Sequence, residues 1–274
     1  MEIPSDVQRY YAIGRERSRL DRGAGRLEAL RTTELLDRWL PPAPAVVLDV
    51  GGAAGRYALP LAGAGYDVHL LDPVPLHVEQ AREASATAAR PLASVRTGDA
   101  RALPFDDACA DAVLLLGPLY HLSSRVDRVQ ALAEARRVLR PGGLVVAAVI
   151  SRFASTADGV AGGLLADERF AAVVERDVAT GEHRNDDAVP GWFATAYFHR
   201  PEDVVAEVRD AGLVPDGPVA VEGLGGFAAD VDALLDDPAT RDRVLTALRR
   251  VEREPSLLGA SSHLLVAGTR PADG

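Results

Sequence analysis

Short apolar runs alternate along the chain with longer amphipathic stretches. Residues 46–50, 68–71, 92–96, 112–116 and 144–150 are runs of mainly Val, Leu, Ile and Ala bounded by turn residues, the pattern of strands buried on both faces. Between them, residues 56–64 and 75–89 read as helices. So does a stretch capped by Ser123 or Ser124, with Val126, Val129, Leu132 and Leu139 on one side and Pro141-Gly142-Gly143 as its stop. Repeated β-α-β units at this spacing predict a parallel, doubly wound sheet.

The flanks differ. Residues 5–39 read as helical in two pieces broken near Gly23 and Gly25, the second with Leu27, Leu30, Leu35 and Trp39 at helical spacing before Pro41, Pro42 and Pro44 stop it. Residues 151–198 interrupt the alternation with Gly159, Gly162 and Gly163, a charged stretch at 182–187 and a late aromatic group. Ordinary connections in such sheets run to about 2–6 residues, so this length predicts an irregular lid or small subdomain. The alternation resumes at Arg200 with a helix to Ala211, a strand near 219–221, a helix over 240–251 and a last strand over 262–267. The expected organisation is a helical cover (1–40), an α/β core (41–150), a lid or substrate insertion (151–198) and a segment completing the core sheet (199–274).

Composition narrows the function classes. The 274 residues carry a formal net charge of −10, and all 30 strong cations are arginines. An acidic chain with dispersed arginines lacks the electrostatic footprint of a nucleic-acid binder, which favours a small-molecule substrate. Cys109 is the only cysteine, so an internal disulfide and cysteine-cluster metal sites are excluded. No run approaches the ~18 apolar residues of a membrane span, and the start lacks a signal-peptide pattern. A soluble, cytoplasmic protein is expected, with no membrane partner and with homo-oligomerisation left open. Asp106-Asp107 and Asp186-Asp187 read as solvated loop acids, and His69, His77 and His263 show no metal-ligand spacing, so no metal is expected.

The first strand and the turn after it, residues 46–56, hold the most informative chemistry. Gly51, Gly52 and Gly55 let backbone approach a ligand, but the dinucleotide fingerprint would need glycines where Ala53 and Arg56 stand. Asp49, just before the turn, would repel a pyrophosphate and suits a ligand bearing an ammonium and a sulfonium. Here the chain resembles the class I S-adenosylmethionine (SAM)-dependent methyltransferases, whose first motif is an acid followed by x-G-x-G-x-G. Asp49, Gly51 and Gly55 match that motif, and Ala53 replaces its middle glycine. The resemblance implies a Rossmann-like, seven-stranded sheet with its last strand antiparallel, and SAM as cofactor. Asp72 ends the second strand about 20 residues past the turn, where an acid can accept ribose hydroxyls. Asp99 resembles the family residue that accepts the adenine amino group, with the Ala100 amide reaching a ring nitrogen.

After the fourth strand, Gly117-Pro118-Leu119-Tyr120-His121 resembles the fourth motif of bacterial small-molecule methyltransferases. Ligands sit at the carboxyl ends of strands in such sheets, which directs Gly117 to the cofactor and Tyr120 to the substrate. His121 is a candidate general base, with helix capping or simple packing as the alternative. His199, where the insertion rejoins the sheet, is the rival base. Trp192 and Tyr197 read either as substrate contacts or as core of the insertion. The leading Tyr10-Tyr11-x-x-Gly14-x-Glu16-x-x-Arg19-Leu20 segment resembles one that closes over SAM in some of these enzymes, with Tyr11 able to cover a sulfonium by cation–π attraction; an ordinary amphipathic helix with tyrosine packed inside is the alternative. These residues together imply methyl transfer to an oxygen or nitrogen of a small metabolite. A different SAM reaction (cyclisation or aminocarboxypropyl transfer) and RNA or protein methylation stay open as alternatives.

Overall fold

In a computed structural model, which describes residues 5–12 and 19–272, the predicted strands form β1 (Val46–Val50), β2 (Asp67–Asp72), β3 (Ser94–Thr97), β4 (Ala110–Leu115) and β5 (Leu139–Ser151). They pair in parallel in the order β3-β2-β1-β4-β5, with Val47 flanked by Val68 and Ala112. Past β5 the direction changes: β9 (His263–Thr269) runs antiparallel to β5, and β8 (Val214–Ala220) antiparallel to β9. These seven strands are the doubly wound, Rossmann-like α/β sheet with an antiparallel last strand.

Both faces of the sheet are covered. On one, Leu35 and Leu36 of α2 (Gly23–Trp39), Ala58 and Leu61 of α3 (Ala58–Gly63) and Ala81 of α4 (Pro75–Thr87) pack on Val47, Leu114, Val146 and Leu265. On the other, Ala131, Leu132 and Ala135 of α6 (Arg125–Val138) and Val204 and Val208 of α9 (Pro201–Asp210) pack on Leu48, Val113, Leu115 and Val266. Burial on both faces is why the strands read as continuous apolar runs rather than as alternation. The short α5 (Pro118–His121) follows β4, and α1 (Ser5–Ala12) precedes the described part of the chain that leads into α2. Gly14 and Glu16 of the leading motif lie outside the described residues.

Two expectations are corrected. The strand expected at 144–150 begins at Leu139, so Pro141, Gly142 and Gly143 lie within β5 rather than in a helix stop; α6 already ends at Val138. Residues 151–198 are not irregular. They form α7 (Ala154–Ala161), α8 (Glu168–Thr180) and a two-stranded ribbon of β6 (Glu182–His183) and β7 (Ala196–His199), in which β7 extends the carboxyl end of β5 in parallel. The Asp167 side chain caps α8 by accepting the Arg169 N–H, and Phe170, Val173 and Asp177 form its buried stripe. After β8 come α10 (Val231–Asp236), α11 (Pro238–Val251) and α12 (Pro255–Leu258). No helix among the described residues is long and apolar enough to cross a membrane.

Candidate active site

The turn after β1 forms its shape by close contact. Gly51 has φ +75°, and a Cβ on it would stand 2.7 Å from Pro118 Cγ. A Cβ on Gly52 would stand 2.6 Å from Asp49 Oδ2. Ala53 holds φ +47°, a left-handed conformation unfavourable for alanine, and its N–H donates to Asp72 Oδ2 at 2.9 Å. That bond ties the turn to the end of β2, and the positive φ explains why the family places glycine here.

Asp49, Gly51, Gly52 and Gly55 line one cavity of about 660 Å³ together with Asp72, Asp99 and Ala100, at the carboxyl ends of β1, β2 and β3. Gly117, Tyr120, His121 and Tyr11 line the same cavity. Asp49 is buried, and its Oδ2 has no hydrogen-bond partner. Burial first, and the neighbouring Asp72 second, push its carboxyl up to about 7. Asp72 is also buried, and its Oδ1 accepts the Val74 N–H at 2.8 Å and lies 3.1 Å from His77 Nδ1. Asp99 is gripped by the Arg101 side chain at 2.6 Å, which holds it below the usual carboxylate range.

His121 sits where the sequence directs it, but its surroundings change its chemistry. Burial pushes it down to about 4, so its ring is neutral near pH 7. Its Nε2 therefore accepts the Tyr11 hydroxyl at 2.6 Å, and Nδ1 faces the Thr195 carbonyl at 3.4 Å. The α1 helix is held against the insertion from both sides: Asp6 Oδ2 accepts the Thr195 N–H at 2.8 Å, and the Tyr10 ring meets Phe193 edge-on at 5.2 Å.

His199, Trp192 and Tyr197 do not line the cavity. His199 is fully buried and donates from Nε2 to Glu207 at 3.2 Å; Glu207 in turn pairs with buried Arg128 at 2.8 Å. The Tyr197 ring lies under the Arg128 guanidinium at 3.7 Å, so both residues belong to a structural network between β7, α6 and α9. Trp192 packs edge-on against Phe170 of α8. The expected cleft-facing roles of these three are corrected accordingly.

The cavity also holds residues to which the sequence pattern assigned no contact in the site. Arg19 from the end of the leading motif, Glu28 of α2 and His263 at the start of β9 line it. Arg19 grips Glu28 with two bonds of 2.6 and 2.9 Å. His263 Nδ1 donates to Glu222 at 2.6 Å and lies 3.6 Å from Glu28. Glu222 also accepts the Ser261 hydroxyl and the His263 N–H, at 2.9 and 3.0 Å. Burial opposes a charge on His263, yet Glu28 and Glu222 outweigh it and push the imidazole up to about 9. The ligand atoms of Glu28, Glu222 and His263 lie within 4.8 Å of one another, a spacing that could hold a metal, and the Arg19 guanidinium pairs with Glu28. One signal could have found His263: the first residue of an antiparallel last strand falls at the carboxyl edge of the parallel ones.

Residues 48–147 match a family described as a methyltransferase domain. An uncharacterized methyltransferase of Mycobacterium tuberculosis is 38% identical over 110 residues, 40% of this chain and 42% of that protein. The ubiquinone biosynthesis O-methyltransferase of Methylocella silvestris is 34% identical over 106 residues, 39% of this chain and 40% of that protein. The chain thus spans about two fifths of the length of the curated relatives it matches. Among solved structures, a SAM-dependent methyltransferase of Thermotoga maritima, described as a possible histamine N-methyltransferase, superimposes with a TM-score of 0.56 at 18% identity, covering 98% of this chain and all of that one. SAM is the cofactor this family implies, and the residues fit it: a buried carboxylate whose Oδ2 has no hydrogen-bond partner stands beside a turn where a Cβ has no room. Residues 48–147 thus match a methyltransferase domain, set in a fold shared along nearly the whole chain with a solved SAM-dependent methyltransferase.

Proposed function

We propose that the chain transfers a methyl group from SAM to an oxygen or nitrogen of a small metabolite. The observation that carries this reading is a single cavity in which the buried Asp49 carboxylate has one oxygen, Oδ2, without a hydrogen-bond partner next to the glycine turn. When bound, SAM supplies a methyl group already activated by a positively charged sulfur. The protein's part is then to bind, align and exclude water.

In this reading Asp49 receives the ammonium of the cofactor, which relieves its burial. Backbone at Gly51, Gly52 and Gly55 leaves room for the ligand, Asp72 accepts ribose hydroxyls, and Asp99 with the Ala100 amide reads the adenine. Gly117 and Tyr120 border the transfer region. His121 positions the Tyr11 hydroxyl, so that residues 1–40 cover the cavity and the insertion at 151–198 acts as its lid. Residues 41–150 bind the cofactor and 199–274 complete the sheet. The net charge of −10 without lysine argues against a nucleic-acid acceptor and fits a cytoplasmic small-molecule enzyme. The similarity to a protein named an O-methyltransferase supports an oxygen acceptor. Calorimetric titration with SAM and S-adenosylhomocysteine tests the reading: saturable one-site binding is expected, and absence of binding to the full chain refutes it.

A further inference from the structure

We propose that His263, held as an imidazolium between Glu222 and Glu28, is the anchor for a carboxylate of the methyl acceptor. This rests on the methyl-transfer reading above and names the acceptor class, a small carboxylic acid. Three observations carry it. His263 lines the cavity, while its buried partner Glu222 lies outside the cavity wall. Its Nδ1 donates to Glu222 at 2.6 Å and lies 3.6 Å from Glu28, so two carboxylates face one ring nitrogen. Nε2, the other ring nitrogen, makes no hydrogen bond among the described residues. With a proton on each nitrogen, Nε2 is a charged donor without a receiver.

The arginines in the cavity wall hold acids of the protein itself: Arg101 bonds Asp99 and Asp127, Arg56 bonds Asp21, and Arg19 bonds Glu28 twice. The charged and titratable groups around His263 come from four directions: Glu222 after β8, Glu28 on α2, Arg19 before α2 and Asp158 on α7. Together they keep the ring protonated up to about 9. A carboxylate answers such a donor best, because a hydrogen bond between two charged groups is about twice as strong as one between neutral groups. An ammonium would be repelled, which sets aside simple amines as acceptors. Val221, whose N–H donates to the His263 carbonyl, and Leu265, on the same face of β9, line the cavity beside the ring and offer apolar surface to the body of the acid.

The cofactor carries a carboxylate too, and the sheet register separates it from His263. Asp49 pairs with Leu114 of β4 and Leu114 with Val146 of β5, whereas His263 pairs with Ile150, farther along β5. Three strand spacings of about 4.8 Å and four residues of rise at about 3.3 Å put the Asp49 and His263 backbones on the order of 20 Å apart. Side chains reaching towards each other still leave roughly 10 Å between them. The cofactor's carboxylate is bonded to the carbon that bears the ammonium received by Asp49, so it stays close to Asp49. The acceptor is the ligand that reaches His263.

The test uses the full chain saturated with S-adenosylhomocysteine, with benzoate as the probe and benzamide as its uncharged counterpart, followed by NMR of labelled histidine. Wild type should bind benzoate saturably, about 10-fold or more tighter than benzamide, with the shift at the His263 Nε2 signal. Glutamine keeps an N–H donor but no charge, so His263→Gln should lose about 10–100-fold in benzoate affinity and little in benzamide affinity, while S-adenosylhomocysteine affinity holds. Benzoate affinity should fall as pH rises through about 9 in wild type, where the ring loses its proton, and at least one pH unit lower in Glu222→Gln. Failure of wild type to bind S-adenosylhomocysteine refutes the methyl-transfer reading. With that binding intact, no benzoate binding, equal affinity for benzoate and benzamide, or an undiminished His263→Gln variant overturns this proposal alone. A loss of S-adenosylhomocysteine affinity in His263→Gln with benzoate binding unchanged also overturns it, by placing the imidazolium on the cofactor.

Discussion

Replacing Asp49 with asparagine tests whether the buried carboxylate is held ready for a cation at the expense of stability. Asp49 is buried beside Asp72, and its carboxyl lies at about 7 rather than at the ordinary 3.8. Below the ordinary value the group is protonated in both folded and unfolded chains and contributes nothing to pH dependence. As pH rises from there to about 7, the unfolded chain ionises while the folded one keeps its proton, so the folded state loses relative stability. Above about 7 the loss is complete, and a displacement of this size corresponds to at most roughly 4 kcal/mol. Asparagine cannot ionise, and its buried amide carries a pH-independent penalty of about 1–3 kcal/mol for unmet hydrogen bonds. The discriminating quantity is therefore the slope. In urea unfolding without ligand, the stability of the Asp49→Asn variant relative to wild type should climb by several kcal/mol between about pH 4.5 and 7.5. SAM affinity should fall in the same variant by about 1.5–3 kcal/mol, the worth of a charge-assisted hydrogen bond. Parallel pH profiles for the two proteins would refute the reasoning, as would unchanged affinity.

Asp99→Ala should weaken SAM binding by a similar ~1.5–3 kcal/mol in calorimetry with little change in melting temperature. Asp72→Ala should lower both affinity and stability, because Asp72 also accepts the Ala53 and Val74 N–H groups. Glu207→Ala leaves Arg128 buried and unpaired and should cost about 3–5 kcal/mol in urea unfolding while SAM affinity is retained; a loss of affinity matching the loss of stability would place this network at the site. Amide exchange in α1 and in residues 154–180 should slow when S-adenosylhomocysteine binds, and equal exchange with and without ligand would show these segments to be static.

Strands β1, β2, β4 and β5 were legible because each carries an apolar run buried on both faces and ends in a turn residue, whereas β3 is half-exposed. Asp49, Asp72 and Asp99, which line one cavity, were singled out from the ends of the first three strands together with the resemblance to the methyltransferase motifs. The insertion was less legible. Gly159, Gly162 and Gly163 lie around the end of α7 and obscured its period, although Asp167 and Gly181, which bracket α8, are ordinary cap signals. His199 and Tyr197 looked accessible because a hinge was expected there. Tyr197 is instead covered by Arg128 from α6, and His199 is bonded to Glu207 of α9, which pairs with the same Arg128.

The histidines show where sequence reading stops. His121 and His263 are the same side chain lining the same cavity, yet one is pushed down to about 4 and the other up to about 9. Nothing within a few residues of either explains the difference. His121 meets a hydroxyl and a carbonyl, from Tyr11 and Thr195, which satisfy a neutral ring but cannot repay the desolvation of a charged one. His263 meets two carboxylates, Glu222 and Glu28, brought from distant parts of the chain by the reversal of β9 and the packing of α2. Motif position locates a histidine at the cleft, but the charge of its distant neighbours decides whether its ring is neutral or charged there.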